Sequence, residues 1–252
     1  MPAFAGRMRV LLGIWTWLSF ALVSTVGFVI CLVVFLLTWP FDPTRRLTGR
    51  GIRITGRTMF RAVFAWRFVL ERPVPDQLPE RCVCICNHRS NMDPFVLTLL
   101  PWEMKFLAKS KLFQIPIVGW GMFIAGDIPL VRGSATSIKR AMQRAAWYVK
   151  RGMPVLFFPE GTRGTGGELL PFKDGAFRLA IDQGADIVPV ALCGTENALR
   201  KGDWKPSFAS GRVLVGSPIP TAGLTHNDLP ELKRVARDAL GMLVHRLEKT
   251  ES

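Results

Sequence analysis

The sequence is short of acidic residues, of tyrosine and of histidine. Among 252 residues it has 19 Asp and Glu against 33 Lys and Arg, which leaves a formal net charge of +14. Such a basic excess calls for a polyanionic partner, either nucleic acid or a membrane that contains anionic lipid. The single tyrosine, and the lack of zinc-finger spacing or of an RNA-binding aromatic motif, argue against nucleic acid.

The basic excess is concentrated beside the most apolar part of the chain. Residues 1–70 contain nine arginines and one acidic residue, and residues 10–41 carry no charge at all. About 20 apolar residues suffice to cross a bilayer, so we predict a membrane-associated helix over 10–41. Three alternatives remain for it: a tilted span, a helix that re-enters the bilayer, and a buried helix of a soluble protein.

A second segment, residues 44–70, combines arginines and apolar residues at helical spacing. Five arginines recur at steps of three or four and would align on one side of a helix: Arg46, Arg50, Arg53, Arg57 and Arg61. Apolar residues gather opposite them: Ile52, Met59, Val63, Trp66 and Leu70. We interpret the segment as an amphipathic helix on an anionic membrane, with a charged face on a helix packed against the protein as the alternative. The arginines also predict that this helix and the remainder of the chain lie on the cytoplasmic face of the inner membrane.

The five cysteines, an odd number, do not predict a disulfide framework. Cys82, Cys84, Cys86 and His88 alternate along one predicted strand, where alternate side chains lie about 6.6 Å apart. That spacing is too wide for one zinc ion, whose ligands lie about 2.0–2.3 Å from the metal. We therefore predict no metal site, and reduced thiols that agree with a cytoplasmic domain.

The remainder of the chain divides into a linker and a larger domain. Residues 71–80 are rich in proline and predict a linker; residues 81–252 then form the predicted catalytic domain. Strands are predicted at 82–87, 127–131, 154–158, 187–193 and 212–216, and helices at 94–100, 134–151, 174–183 and 229–249. This alternation predicts an α/β fold with a central mixed sheet flanked by helices, preceded by a two-helix membrane anchor.

The first block with catalytic potential is His-Arg-Ser-Asn-Met-Asp, residues 88–93. It follows a predicted strand, so His88 and Asp93 would stand together at a strand-to-helix turn, a frequent place for active sites. His88 could act as a general base, with Asp93 orienting its ring. Alternatively, His88 is a hydrogen-bonded core histidine and Asp93 an ordinary helix cap.

The second block is Phe-Pro-Glu-Gly-Thr-Arg, residues 158–163, which also follows a predicted strand. Gly161 permits a sharp turn or a close approach to a ligand. The planar guanidinium of Arg163 can bind two oxygens of a phosphate at once. Glu160 can accept a hydrogen bond from a substrate hydroxyl. The alternative is a charged surface turn with an internal Glu160–Arg163 pair.

The order and spacing of these blocks resemble the glycerolipid acyltransferase family, most closely the bacterial 1-acyl-sn-glycerol-3-phosphate acyltransferases. The two blocks resemble the first and third family motifs. Residues 126–132 resemble the second, except that Pro129 stands where an aromatic residue is usual, and residues 187–190 resemble the fourth. The run Ala-Lys-Ser-Lys-Leu at 108–112 also matches the family.

The resemblance implies a reaction. A fatty acyl group would pass from a thioester, on coenzyme A or on acyl carrier protein, to the free sn-2 hydroxyl of 1-acylglycerol-3-phosphate (lysophosphatidic acid), giving phosphatidic acid. His88 would be the base and Asp93 its partner, with no covalent acyl-enzyme and no metal or redox cofactor. The residues implied to hold the acceptor are Lys109, Arg132, Glu160, Gly161, Thr162 and Arg163.

Other functions remain open at this stage. The acceptor could be another lysolipid, such as lysophosphatidylcholine or a lyso-amino-lipid, because the motifs report a hydroxyl, a phosphate and a thioester. A non-catalytic lipid-binding membrane protein could retain the fold, although the intact His88 and Asp93 argue against it. Binding of nucleic acid would require salt-sensitive association by the domain without residues 1–70.

Overall fold

A seven-stranded sheet lies at the centre of the fold. The computed structural model describes residues 2–164, 168–199 and 203–249. The strands are β1 (Trp66–Leu70), β2 (Cys82–Cys86), β3 (Lys105–Lys109), β4 (Ile128–Leu130), β5 (Val155–Phe157), β6 (Asp186–Leu192) and β7 (Ala209–Val215). They lie in the order β1-β7-β6-β2-β5-β3-β4. The β6–β7 pair is antiparallel and the other neighbouring pairs are parallel, which confirms the predicted mixed sheet.

Helices cover both faces of this sheet. They are α1 (Pro2–Thr38), α2 (Arg46–Arg61), α3 (Asp93–Val96), α4 (Val118–Ala125), α5 (Ala135–Val149), α6 (Gly175–Gln183), α7 (Thr195–Ala198) and α8 (Leu229–Lys249). Apolar side chains of α5, α6 and α8 form one core with the sheet. Those of α1, α2 and α3 form a second core on the opposite face. Burial on both faces is what parallel strands require.

Most predicted elements are confirmed, with small shifts at their ends. The five predicted strands correspond to β2, β4, β5, β6 and β7, and the last three predicted helices to α5, α6 and α8. The predicted helix 94–100 divides into α3 and a 3₁₀ turn, Leu97–Leu99. Residues 71–80 contain neither helix nor strand in the structure. The elements β1, β3, α4 and α7 were not predicted.

The prediction of one helix over 44–70 is wrong beyond Arg61. Helix α2 ends there, and residues 66–70 form β1, which pairs with β7 at the edge of the sheet. Burial along β1 alternates from one residue to the next, which is the period of a strand. Trp66 and Leu70 therefore belong to the sheet and not to an apolar stripe on a helix. The division of the chain into anchor, linker and catalytic domain stays a prediction.

The helices α1 and α2 pack closely as an antiparallel pair. A Cβ atom at Gly27 would stand 2.3 Å from the side chain of Thr55, and one at Gly51 would stand 2.7 Å from Sγ of Cys31. Only residues without a side chain allow so close an approach between the two backbones. Because residue 27 lies opposite 55 and residue 31 opposite 51, the helices run in opposite directions.

Helix α1 leaves most of its apolar surface uncovered. Its segment Arg7–Thr38 has a hydropathy of 2.9 over its most apolar 18 residues, of which 17% are buried. With 37 residues, α1 extends for about 55 Å, which exceeds the roughly 30 Å hydrocarbon core of a bilayer. Such exposure argues against the alternative of a buried helix in a soluble protein, whose apolar side chains would be covered.

The arginine stripe of α2 is divided between contacts with the protein and the exposed surface. Arg46 donates to the carbonyl of Gly152, and Arg57 donates to carbonyls within residues 98–100. Arg53 is buried, with 11% of its side chain exposed. The prediction that the stripe lies on an anionic membrane is therefore wrong for Arg53 and Arg57. The N–H groups of a guanidinium can donate to carbonyls and carboxylates of the protein, and those of Arg53 and Arg57 do so. Three members of the stripe are exposed: Arg46, Arg50 and Arg61.

Arg53 belongs to a buried cluster of four charged side chains. It pairs with Asp127, lies 3.8 Å from Glu103, and places its guanidinium 4.2 Å from the centre of the Phe106 ring. Lys105 donates to Glu103 at 2.8 Å. Burial opposes the charge of Arg53, but Asp127 and Glu103 outweigh burial and raise the pKa of the guanidinium. The cluster joins α2 to the beginning of β3 and to the residue before β4.

Replacing Arg53 should destabilise the fold strongly. In Arg53→Ala, the carboxylates of Asp127 and Glu103 lose a cation while they remain buried, which should cost about 3–5 kcal/mol of unfolding free energy. Arg50→Ala is the matched control, because Arg50 is exposed on the same helix; its effect should stay within about 0.5 kcal/mol. Denaturant unfolding in detergent measures both, and equal losses would contradict a structural role for the cluster.

Candidate active site

His88 stands at the carboxyl end of β2, where an asparagine continues the pairing of the strands. The side-chain amide of Asn87 donates to the carbonyl of Leu192 and accepts from its N–H, both at 2.9 Å. These bonds imitate a backbone pair and extend the contact between β2 and β6 beyond the end of β2. The position of His88 is thereby set by the central strands of the sheet.

His88 and Asp93 form the hydrogen-bonded pair that their spacing predicted. Nδ1 of His88 lies 2.7 Å from Oδ2 of Asp93, whose side chain is fully buried. An ionised carboxylate accepts and does not donate, so it places the imidazole proton on Nδ1. Within the described part of the chain no hydrogen bond reaches Nε2 of His88, and 15% of this side chain is exposed. Nε2 is therefore the nitrogen that can take up a proton.

Asp93 is more than a cap of the helix that follows it, and a catalytic role of the pair stays a prediction. Oδ2 of Asp93 accepts the backbone N–H groups of Arg89 and Ser90, at 2.7 and 3.0 Å, so the carboxylate holds the preceding loop. No side-chain bond caps the N-terminus of α3. The imidazole stacks on the ring of Phe158 with 4.2 Å between ring centres, which leaves an edge of the ring open instead of sealing it in the core.

Thr195 completes the shell around Asp93. Its hydroxyl donates to Oδ1 of Asp93 at 2.6 Å, and Thr195 itself is fully buried. The residue is the first of α7, the short turn after β6. Asp93 thus accepts from His88, from two backbone N–H groups and from Thr195, which compensates a buried negative charge.

Glu160 joins the two sequence blocks. Its Oε1 accepts the backbone N–H of His88 at 3.0 Å, and its Oε2 accepts the N–H of Leu170 at 3.0 Å. The carbonyl of His88 accepts the N–H of Gly164 at 2.9 Å. Both backbone groups of His88 are therefore bonded to the loop that contains the second block. Among the described residues no hydrogen bond or ion pair joins Glu160 to Arg163, so the alternative of an internal Glu160–Arg163 pair is wrong.

Gly161 allows the turn that the second block requires. Its φ of +70° lies in the left-handed region, and a Cβ atom there would stand 2.5 Å from Cε of Lys173. A residue with a side chain would meet both obstacles. The turn leaves Thr162 exposed and Arg163 half-buried beside the loop of His88.

The two other predicted cations lie at the same edge of the sheet. Lys109 is the last residue of β3, and Arg132 follows β4 by two residues; both are exposed. The strands β2, β5, β3 and β4 are neighbours and run parallel, so their carboxyl ends meet at one edge. Ligands of α/β proteins bind at this edge. Contact of these residues with a substrate stays a prediction.

Two further side chains shape the surroundings of the pair. Arg89 donates to Glu248 of α8 at 2.5 Å and to Glu196 of α7 at 3.5 Å, which fastens the loop of residues 88–93 at its outer side. Burial raises the pKa of the Cys86 thiol, and the charges of Asp93 and Glu160 raise it further. Cys86 therefore stays a neutral thiol and offers no competing nucleophile.

Asn87, Arg89 and Thr195 were missed as functional candidates by the sequence reasoning. Asn87 and Arg89 flank His88, so their proximity was visible, but their partners lie about a hundred or more residues away along the chain. For Thr195 one signal was available. It follows the apolar strand β6 at a strand-to-helix turn, the same kind of position that His88 has after β2.

Comparison with known proteins points to one family. The model of the Acyltransferase family matches residues 65–193. The human 1-acyl-sn-glycerol-3-phosphate acyltransferase beta is 32% identical over 195 residues, which are 76% of this chain and 69% of the human one. A 1-acyl-sn-glycerol-3-phosphate acyltransferase of Haemophilus influenzae is 26% identical over 225 residues, covering 87% of this chain and 92% of its own.

A solved structure has the same fold. The crystal structure of the 1-acyl-sn-glycerophosphate (LPA) acyltransferase PlsC from Thermotoga maritima superposes with a TM-score of 0.76, at 24% identity, and covers 95% of this chain and 98% of its own. Several relatives are longer than this chain. It matches between 39% and 61% of the proteins from Brassica napus, Chlamydomonas reinhardtii, Arabidopsis thaliana and Cocos nucifera.

The hydroxyl of Thr195 should contribute measurably to stability. Thr195→Val keeps the shape of the side chain but leaves Oδ1 of Asp93 buried without a donor, which should cost about 1–3 kcal/mol of unfolding free energy. Thr195→Ser retains the hydroxyl and serves as the control, with a smaller loss. Thermal unfolding measures the stability of both variants. A serine variant as unstable as the valine variant would show that the hydrogen bond to Asp93 does not contribute to stability.

Proposed function

The chain belongs to the acyltransferase family, and we propose that it transfers a fatty acyl group from a thioester to the free sn-2 hydroxyl of 1-acylglycerol-3-phosphate, giving phosphatidic acid. The observation that carries this proposal is the pair of His88 and Asp93, bonded through Nδ1 while Nε2 has no partner among the described residues. The relatives from human and Haemophilus influenzae bear the name of this activity.

The geometry suits a direct transfer without an acyl-enzyme. Nε2 of His88 accepts the proton of the acceptor hydroxyl as its oxygen attacks the thioester carbonyl. The carbonyl oxygen takes up the electron pair, and Asp93 stabilises the imidazolium. When the tetrahedral intermediate collapses, the carbon–sulfur bond breaks and the imidazolium returns the proton to the departing thiolate. The neutral Cys86 thiol plays no part in these steps.

Three cations at the same edge are proposed to hold the acceptor phosphate. Arg163 lies in the loop bonded to His88, and Lys109 and Arg132 end the neighbouring strands. A guanidinium can bind two phosphate oxygens at once, and an ammonium acts as a point charge. Gly161 and Thr162 would approach the glycerol from the same turn. Glu160 would position the acceptor by fixing both this turn and His88.

The surroundings of the enzyme complete the proposal. The uncovered apolar surface of α1 supports attachment to a membrane, which we propose is the inner membrane, with the site on its cytoplasmic face. The donor is acyl-coenzyme A or acyl carrier protein, and no cofactor is required by the steps above. Assays of a panel of lysolipid acceptors with both donors test this choice of acceptor. If lysophosphatidylcholine or a lyso-amino-lipid were preferred, the product would not be phosphatidic acid.

Removal of the base should abolish most activity. His88→Ala and Asp93→Ala should each lower turnover by about 10²–10⁴-fold, the usual value of general-base catalysis. His226→Ala is the matched control, since His226 also pairs with a carboxylate, Asp182, at 2.7 Å but is exposed and distant along the chain. Near-normal turnover of a folded His88→Ala protein would contradict general-base catalysis by His88.

Loss of a phosphate-binding cation should affect the acceptor and not the donor. Arg163→Ala and Lys109→Ala should each remove a charge-assisted contact of about 1.5–3 kcal/mol and raise KM for the lysolipid accordingly. Arg140→Ala, an exposed arginine on α5, is the control. Steady-state kinetics with each substrate varied separately shows which KM changes. A change confined to the KM of the acyl donor would mean that Arg163 and Lys109 bind the donor and not the acceptor phosphate.

A further inference from the structure

Five large aromatic side chains lie at the surface and take no part in the proposed chemistry. They are Trp15, Trp17, Phe64, Trp204 and Phe208, here called the aromatic patch, and between 43% and 67% of each is exposed. Single exposed apolar residues are ordinary, but soluble monomers rarely expose a large contiguous apolar area. A group of five aromatic residues therefore indicates a contact surface.

Direct contacts join four members of the patch in two pairs. The indole N–H of Trp17 donates to the carbonyl of Trp204 at 2.8 Å, and a Cβ atom at Gly13 would stand 2.6 Å from the Trp204 ring. The rings of Phe64 and Phe208 meet edge to face, with 6.4 Å between their centres. The patch thus combines α1, the segment after α2, and the loop of residues 203–208.

The loop of residues 203–208 is held against α1 by polar bonds beneath the patch. Arg9 pairs with Asp203 at 3.0 Å and donates to the hydroxyl of Ser207 at 3.3 Å. The indole N–H of Trp66 donates to the carbonyl of Ser207 at 3.1 Å. These hydrogen bonds therefore hold the loop that exposes Trp204 and Phe208.

Two of the three tryptophans of the patch, Trp15 and Trp17, have hydrogen-bond partners for their indole N–H groups within the protein. The indole N–H of Trp15 donates to the carbonyl of Ala62, and that of Trp17 to Trp204, each at 2.8 Å. Both polar groups keep these partners if water leaves the rings. Burial of an unpaired N–H would be costly, so this arrangement removes the main penalty for entering an apolar phase.

The patch lies at the same edge of the sheet as His88. Strand β7 runs antiparallel to β6, so it begins where β6 ends, and β1 runs parallel to β7. The loop of residues 203–208 precedes β7, and Phe64 precedes β1. Both parts of the patch therefore stand beside the edge at which β2 ends and leads to His88.

We propose that the aromatic patch inserts into the interface of an anionic bilayer and is a second lipid contact, made by the body of the enzyme beside its active site. Two of its members, Trp15 and Trp17, belong to α1, whose apolar surface is largely uncovered. Tryptophan and phenylalanine favour the interface of a bilayer, and Arg61 and Arg67, both exposed, flank Phe64 along the chain. The patch would keep the site mouth at the lipid surface.

A fluorescent label at position 208 tests the contact without reference to activity. All five native cysteines are buried, so Phe208→Cys offers one accessible thiol for an environment-sensitive dye. The full chain is reconstituted into phosphatidylcholine–phosphatidylglycerol vesicles, with or without brominated lipid. We expect a blue shift of the dye and strong quenching by brominated lipid.

Two further positions make that measurement decisive. Phe41→Cys, just beyond α1, reports whether the N-terminal pair has entered the membrane, and Met242→Cys on α8 is exposed on the opposite face of the sheet. Quenching at 208 and 41 but not at 242 supports the proposal. Quenching at 41 alone overturns it. A concentration-dependent dimer in detergent that shields position 208 from the dye also overturns it, because the occupant would then be a second copy.

Activity gives a second, separate readout that rests on the proposed function. Trp204→Ser combined with Phe208→Ser should lower kcat/KM for a long-chain acceptor in vesicles on the order of tenfold, since two interfacial side chains are lost. The rate with a dissolved short-chain acceptor should not change. Ile138→Ser with Met242→Ser is the matched control. An equal loss on both acceptors would overturn the lipid contact, whereas inactivity of the unmodified chain on every lysolipid would refute only the proposed function.

Discussion

The carboxylate of Asp93 is buried without solvent contact, and the loops around it stabilise its negative charge with hydrogen bonds. A carboxylate isolated in such a place would take up a proton. Here His88, the backbone of Arg89 and Ser90, and Thr195 all direct hydrogen-bond donors at it. These donors come from segments that follow β2 and β6. The charge is held where two neighbouring parallel strands end side by side, and His88, the proposed base, stands at the same place.

The N-terminal helices belong to this arrangement and are more than a detachable anchor. Arg53 on α2 pairs with Oδ1 of Asp127, and the same oxygen accepts the backbone N–H of Phe106 in β3. The same strand ends at Lys109, one of the cations proposed for the acceptor phosphate. A chain lacking the helix pair would leave Asp127 and Glu103 buried without Arg53, and would lose β1 if it began after residue 70. Attachment to the membrane and integrity of the sheet are consequently coupled.

Elements with a local signal were predictable, and elements defined by distant partners were not. The apolar runs of β2 and β5 and the helical period of α8 are visible in the sequence. Strand β3 begins with a charged residue, Lys105, which is buried because Glu103 accompanies it. Helix α4 contains Gly119, where a Cβ atom would stand 2.5 Å from backbone atoms of the preceding turn, and no local pattern shows that approach. The same distinction holds in the site. His88 and its partner are five residues apart, whereas Thr195 is 102 residues from the carboxylate it serves.

The order of the strands sets distances that suit a lipid acceptor. Neighbouring strands lie about 4.8 Å apart, so the loop of Arg163 after β5 is one strand from His88, and Lys109 on β3 is two. In a lysophosphatidic acid the sn-2 hydroxyl and the phosphate occupy adjacent carbons of one glycerol. In the proposed reaction, a hydroxyl at Nε2 of His88 would have its phosphate on the side of these cations. The aromatic patch begins two strands away in the other direction, at β7. Cations on one side of the base and lipid-facing aromatic rings on the other would orient the acceptor before the thioester arrives from the water.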